Sequence, residues 1–228
     1  MNRRNESVCV NDPDKPLSSG ALRARFRREG IDAVRLGTDP LAAFVGWHAD
    51  WIATSPFDPA LMTLATVDVD GAPSLRVMDL AAVDHGFIFM THGESPKSQD
   101  LKRCPKAALC FSWPEIGRQI RVSGTVERLG DAEATAAFEV LPRSIRLVAH
   151  ATKQSARIQA RAEIEQRLLH ARTVVDVDAP PLPADWQGCR LIPHRMEFWQ
   201  QRPDDLQDRI LFDREDGSSV WRTSRLSP

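Results

Sequence analysis

Phe87-Ile-Phe-Met-Thr-His-Gly-Glu-Ser-Pro-Lys97 reads as a strand that runs into a short turn and then opens a helix. Phe87 to Met90 is an apolar run of strand length, bounded by Asp84-His85-Gly86 on one side and Gly93 on the other. Ser95 suits the N-cap, and Pro96 suits the first helical position, where its missing N–H costs nothing. The free N–H groups and partial positive charge of such a helix start attract anions. Lys97 adds a full charge there, while Thr91 and Ser95 supply hydroxyls. Arg76, upstream, can meet a phosphate with a planar fork of donors. The stretch therefore reads as a phosphate-sized anion site, against the plainer reading of a capped surface helix with a solvated lysine.

Around it the hydrophobic period is that of strands. Met62–Val69, Ser74–Val83, Ala107–Trp113 and Gln119–Leu129 are predicted strands, with Asp70-Gly71 as a hairpin turn and Gly124 as a bulge or bend. Upstream, Asp39-Pro40 starts a helix to about Ala53, with Leu41, Phe44, Val45, His48, Trp51 and Ile52 on one apolar face. Downstream, helices are predicted over Asp131–Val140, from Pro142, and over Ser155–Arg172 with Ile158, Ala162, Ile164, Leu168 and Leu169 inward. Lys153-Gln154-Ser155 then stands at a helix start, as a second anion contact. After a proline-rich connector, Asp176–Pro183, Gly188–Trp199 and Asp208–Trp221 return as strands. The order predicts a mainly β fold with α, a closed or split β-barrel with helices packed outside. Residues 1–38 read as an arm that is partly disordered, and 39–228 as one domain. The basic patch Arg23–Glu29 reads as a solvated face.

Composition narrows the function classes. A net charge of −1 over 228 residues gives no basic footprint for nucleic acid. No apolar run is long enough to span a membrane, and the first residues lack a signal-peptide core, so a cytoplasmic protein is expected. Cys9, Cys104, Cys110 and Cys189 are scattered, and the six histidines never fall at metal-ligand spacing, so no metal site is read. His92, beside Thr91, is the histidine best placed to touch a ligand. A P-loop, a dinucleotide glycine motif and a hydrolase elbow are all missing.

Taken in order, the motifs resemble the pyridoxamine 5′-phosphate oxidase family, FMN-dependent split-barrel homodimers. The resemblance runs over about residues 39–228. It rests on Ala65-Thr-Val-Asp, Gly71-x-Pro73, Arg76, Phe89-x-Thr91, Ser95-x-Lys97, Arg118-Gln119 and Lys153-Gln-Ser-x-Arg-Ile158. It continues through Glu197-Phe-Trp-Gln200, Asp208-Arg209 and the ending Arg225-Leu-x-Pro228. It implies that Arg76, Val77, Met90, Thr91, Ser95, Lys97, Gln154 and Ser155 hold the phosphate and ribityl side of FMN. Gln119, Trp199 and Arg209 would hold the ring, with the flavin at the interface of a homodimer. Pro96 departs from the family, which often has arginine there. No catalytic side chain is assigned, because the flavin carries the chemistry.

The substrate side departs further. Where the family grips a substrate phosphate with lysine, tyrosine, arginine and serine, this chain has Ala81, Ala137, Leu141 and Ile145. The family's Arg-Leu-His is Asp205-Leu206-Gln207, and Arg143 or Arg146 are the nearest substitutes. Each lost charged hydrogen bond costs roughly 1.5–3 kcal/mol of binding. The expectation is an FMN-dependent oxidase of a reduced aromatic, dihydrophenazine-like or amine metabolite, using oxygen, closest in kind to the oxidases of phenazine biosynthesis. The alternatives are a pyridoxamine or pyridoxine 5′-phosphate oxidase, a non-catalytic flavin- or haem-binding barrel, and a deazaflavin-using relative.

Overall fold

The computed structural model describes residues 18–215 and 217–228; of the expected, partly disordered arm 1–38, residues 1–17 with Cys9 lie outside the described residues, and 18–38 carry two helices. Two short helices come first, α1 (Ser19–Glu29) and α2 (Ala33–Leu36), followed by α3 (Pro40–Ile52). Asp39 caps α3 by accepting a hydrogen bond from the Leu41 N–H at 2.9 Å, and Pro40 takes the first turn as expected. The buried face of α3 is Pro40, Phe44 and Trp47; Val45 and Ile52, expected to be inward, are about half exposed. Trp47 takes the inward place because it packs edge-on against Phe198.

The sheet begins with β1 (Leu61–Val67) and β2 (Pro73–Asp79), joined through the Asp70-Gly71 turn, where Gly71 has φ +85°. The predicted strand to Val83 ends at Asp79, and a separate β3 (Ala82–Val83) pairs with β4 (Phe87–His92). α4 (Pro96–Arg103) follows as expected, then β5 (Lys106–Trp113) and β6 (Arg118–Arg128). Three helices, α5 (Asp131–Glu139), α6 (Arg143–Ala151) and α7 (Arg161–Val174), precede the long β7 (Trp186–Gln200). The predicted strand 208–221 is two strands, β8 (Asp208–Asp213) and β9 (Arg222–Arg225), because the chain turns between them.

All pairings are antiparallel, in the order β2-β1-β5-β6-β7-β4-β3, with β8 on β7 and β9 on β8. Burial alternates along β1, β5 and β6, so one face turns inward. Inward residues from β1, β4, β5, β6, β7 and β8 share one core, including Leu64, Phe89, Phe111, Ile120, Phe198 and Phe212. A flat sheet could not bring them together; this one is curled and partly open, a half-barrel with helices outside. The expected irregularity at Gly124 is present, as a register shift in β6–β7 between Ser123 and Gly124. It bends β7, whose first half pairs with β4 and whose second half pairs with β8.

α1 lies against this core through Leu22 and Phe26. The Arg118 guanidinium sits 3.4 Å from the Phe26 ring centre and 4.1 Å from that of Trp47, and its charge is answered by Asp50 at 2.7 Å. The basic run is therefore not wholly solvated: Arg23 donates to Gln201, and Arg27 to the Arg202 carbonyl.

Candidate functional site

β4 ends at the turn before α4, and there the predicted anion residues meet. Thr91, Ser95 and Ser98 have no measurable exposure, and Lys97 is 4% exposed. Ser95 occupies the N-cap, but its hydroxyl makes no capping bond; it lies 3.2 Å from the Thr91 hydroxyl and 3.0 Å from that of Ser98. Lys97 Nζ donates to Gln154 Oε1 at 2.6 Å, and the Thr91 hydroxyl donates to the same oxygen at 3.3 Å. Burial, and the nearby Arg76 charge, pull the Lys97 pKa down to about 8. Arg76 donates to Thr66 Oγ1 at 2.8 Å and Ser74 Oγ at 2.9 Å, with Asp100 at 4.0 Å. Among the described residues no carboxylate pairs with Lys97. A buried ammonium beside a guanidinium and two hydroxyls is a donor set that suits a phosphate, so the residues fit the phosphate end of FMN.

Gln154 reaches this cluster from a loop. The predicted helix start at Ser155 is wrong: α7 begins at Arg161, and Ser155 sits in the loop with φ +66°. Ser155 is exposed and makes no hydrogen bond to the cluster. Of the residues expected inward on this helix, Ile164 and Leu168 are half-buried, whereas Leu169 is 61% exposed and Ile158, in the loop before α7, is 40% exposed.

Gln154 also lines a cleft of about 300 Å³ with Leu61, Val77, Met78, Asp79, Met90, Leu141, Ile145 and Trp186. Ala81, Ala137, Leu141 and Ile145, expected at the substrate-phosphate positions, belong to one apolar cluster: Ala137 and Leu141 are buried, and Ala81 and Ile145, with Trp186, pack on it. Arg143 and Arg146 do not replace the missing cations. Arg143 bonds the Val177 carbonyl and pairs with Asp178, and Arg146 reaches the Pro180 carbonyl, so both tie α6 to the connector. His92 is occupied too: Nε2 lies 2.8 Å from Asp185, and Nδ1 accepts the Glu94 N–H at 3.1 Å.

Gln119, Trp199 and Arg209 stand opposite one another on β6, β7 and β8. They alternate with the core residues Ile120, Phe198 and Ile210, and so face outward. Arg209 is steadied by Glu197 at 2.8 Å and the Ser227 carbonyl at 2.8 Å. Gln119 and Trp199 line a second hollow of about 410 Å³ together with Arg23 of α1. The two hollows share no lining residue.

Asp205 and Gln207 do not enter the cleft. Asp205 sits in the β7–β8 turn at φ +59°, and Gln207 Oε1 accepts the Arg202 N–H at 2.7 Å, bracing that turn. Sequence reasoning missed Asp79, Trp186, Asp100 and Glu197; Glu197 lies inside a quoted motif, whereas the other three carry only a spatial signal.

The family model described as pyridoxamine 5′-phosphate oxidase matches residues 51–175. A second, the pyridoxine 5′-phosphate oxidase C-terminal dimerisation region, matches residues 186–228. The pyridoxine/pyridoxamine 5′-phosphate oxidase of Pseudomonas paraeruginosa is 40% identical over 210 residues, covering 91% of this chain and 97% of its own. The enzyme of that name from Azorhizobium caulinodans is 39% identical over 223 residues, 97% of this chain and 100% of its own. Among solved structures, PhzG from Burkholderia lata in complex with tetrahydrophenazine-1-carboxylic acid superposes with a TM-score of 0.78 at 28% identity, over 84% of this chain and 94% of that one.

Proposed function

This chain belongs to the pyridoxamine 5′-phosphate oxidase family, and we propose that it is an FMN-dependent oxidase whose flavin is held between two copies of the chain. The observation that carries the cofactor assignment is Lys97, buried and without a carboxylate beside Arg76, Thr91, Ser95 and Gln154. In this reading Arg76 and Lys97 neutralise the phosphate, and Thr91, Ser95 and Gln154 orient it; Val77 and Met90 flank the chain that leads to the ring. Ser155 would serve only through its backbone or after the loop adjusts. Gln119, Trp199 and Arg209 of the second copy would meet the ring edge. FMN supplies the two-electron acceptor, and the protein supplies orientation and a shielded slot. Homodimer formation is also what the name of the C-terminal family model implies.

For the substrate, the named relatives favour pyridoxine or pyridoxamine 5′-phosphate, and on sequence similarity that reading has the stronger support. One observation favours the second reading, a substrate without a phosphate: Ala81, Ala137, Leu141 and Ile145 build an apolar cluster where a phosphate ester would need cations. A reduced aromatic of the kind bound by PhzG would suit such walls. Oxygen uptake by the FMN-loaded protein separates the two. Turnover of pyridoxamine 5′-phosphate at about 1 per second or faster establishes the vitamin B6 reading. Failure with both phosphate esters, together with oxidation of an unphosphorylated dihydroaromatic, establishes the second. A purified protein that takes up no FMN would remove the cofactor assignment itself.

A further inference from the structure

Glu197 lies on β7 between the core residues Met196 and Phe198, so its side chain leaves the sheet on the outward face; yet it is only 6% exposed. Two arginines close over it. Arg209 Nε donates to one carboxylate oxygen at 2.8 Å, and Arg121 Nη1 donates to the other at 3.3 Å. Arg121 stands opposite Glu197 in the β6–β7 ladder, whereas Arg209 reaches it diagonally from β8, where its own opposite number is Trp199. A buried carboxylate is costly unless it is paired, and once paired it adds little stability over an apolar side chain of similar volume. What this pairing does supply is direction. Glu197 takes the Nε edge of Arg209 and the Ser227 carbonyl takes Nη1 at 2.8 Å, while among the described residues Nη2 donates to no protein atom. The guanidinium is thus pinned along two edges, and its side chain keeps 25% of its surface open.

We infer that Glu197 is the positioning residue of the ring half-site, fixing Arg209 so that the Nη2 edge is turned to the flavin. This rests on the reading of Arg209 as a ring contact and deepens it. Covered by the two arginines, Glu197 acts through Arg209 and not by touching the ring. The carbonyl and nitrogen edge of a flavin accepts hydrogen bonds, and a donor already fixed in direction loses little freedom when it binds.

Two conservative variants separate position from charge. Glu197→Gln keeps an acceptor at the same reach and loses the charge, whereas Glu197→Asp keeps the charge but draws it back by one methylene from Nε. Full-length protein freed of flavin is titrated with FMN by fluorescence. Glu197→Gln should bind within about threefold of the wild type, and Glu197→Asp about tenfold more weakly. Arg209→Met should also weaken FMN about tenfold. In the Arg209→Met background neither change at Glu197 should add more than about threefold, because the group it positions is gone. A tenfold loss in Glu197→Gln, or wild-type binding by Glu197→Asp, would overturn the inference in favour of charge balance alone. An Asp penalty that persists without Arg209 would overturn it in favour of a purely structural role. Arg209→Met with wild-type affinity would strike the ring contact itself, and the inference with it.

Discussion

Lys97 gives up nearly all of its hydration at the start of α4, and although Gln154 accepts one hydrogen bond from it, the Arg76 charge adds to the difficulty. Desolvation and then the Arg76 charge lower its pKa from the ordinary 10.5 to about 8. The sign matters in two ways. In the free protein the unfolded chain holds this proton more tightly, so the Lys97 contribution to stability rises as pH climbs from about 8 to 10.5. For a phosphate ligand the charged form is the competent one, so FMN affinity should fall as pH rises through about 8. Fluorescence titration of FMN across pH 7 to pH 9.5 checks this. Lys97→Met should cost roughly 1.5–3 kcal/mol of affinity, about ten- to a hundredfold, and flatten the pH dependence. An unchanged slope in the variant would mean that another group titrates. Lys97 was legible because a capped helix after a strand is a local pattern; Trp186 and Asp79 were not, since only folding brings one beside the other.

At the scale of elements, the sequence is most readable where local chemistry dictates the boundary. Asp39-Pro40 opens α3 and Ser95-Pro96 opens α4 at the expected residues, because a proline suits the first turn in both and Asp39 also caps α3. The expectation failed at residues 155–160, whose composition is helical. Gln154 is held by Lys97 and Thr91, and Ser155 adopts a left-handed backbone, which no helix continues through. Tertiary contact overrode local propensity there. The bulge at Gly124 is a case where one residue type was informative. A Cβ there would lie 2.1 Å from the Ile192 carbonyl oxygen, a backbone atom that cannot step aside without breaking β6–β7. Gly124→Ala should therefore lower stability by about 2–3 kcal/mol, read from urea unfolding. Gly46→Ala, in α3 with nothing within 4 Å, should instead be neutral or gain up to about 1 kcal/mol. Equal effects at the two sites would show that the bulge does not need its glycine.

Over the whole molecule, large apolar residues are left open on several elements. Leu75 is 69% and Val77 63% exposed on β2, and Val45, Ile52 and Leu169 are open on the helices. The residues proposed to hold the phosphate sit where β4 meets α4, whereas Gln119, Trp199 and Arg209 face outward from β6, β7 and β8. A second copy related by a two-fold axis would cover such apolar residues and bring each half-site to its complement. Light scattering should therefore report a dimer, but a dimer alone does not show that the halves combine. Complementation does. Lys97→Met damages only the phosphate half and Trp199→Ala only the ring half, so each variant alone should bind FMN weakly at both sites. In a mixed dimer, one site inherits both defects and the other inherits neither. Random mixing makes about half the dimers mixed, so about a quarter of all sites should regain wild-type affinity. If all the contacts instead came from one chain, every site in the mixture would still carry one defect, and no tight fraction would appear in the titration.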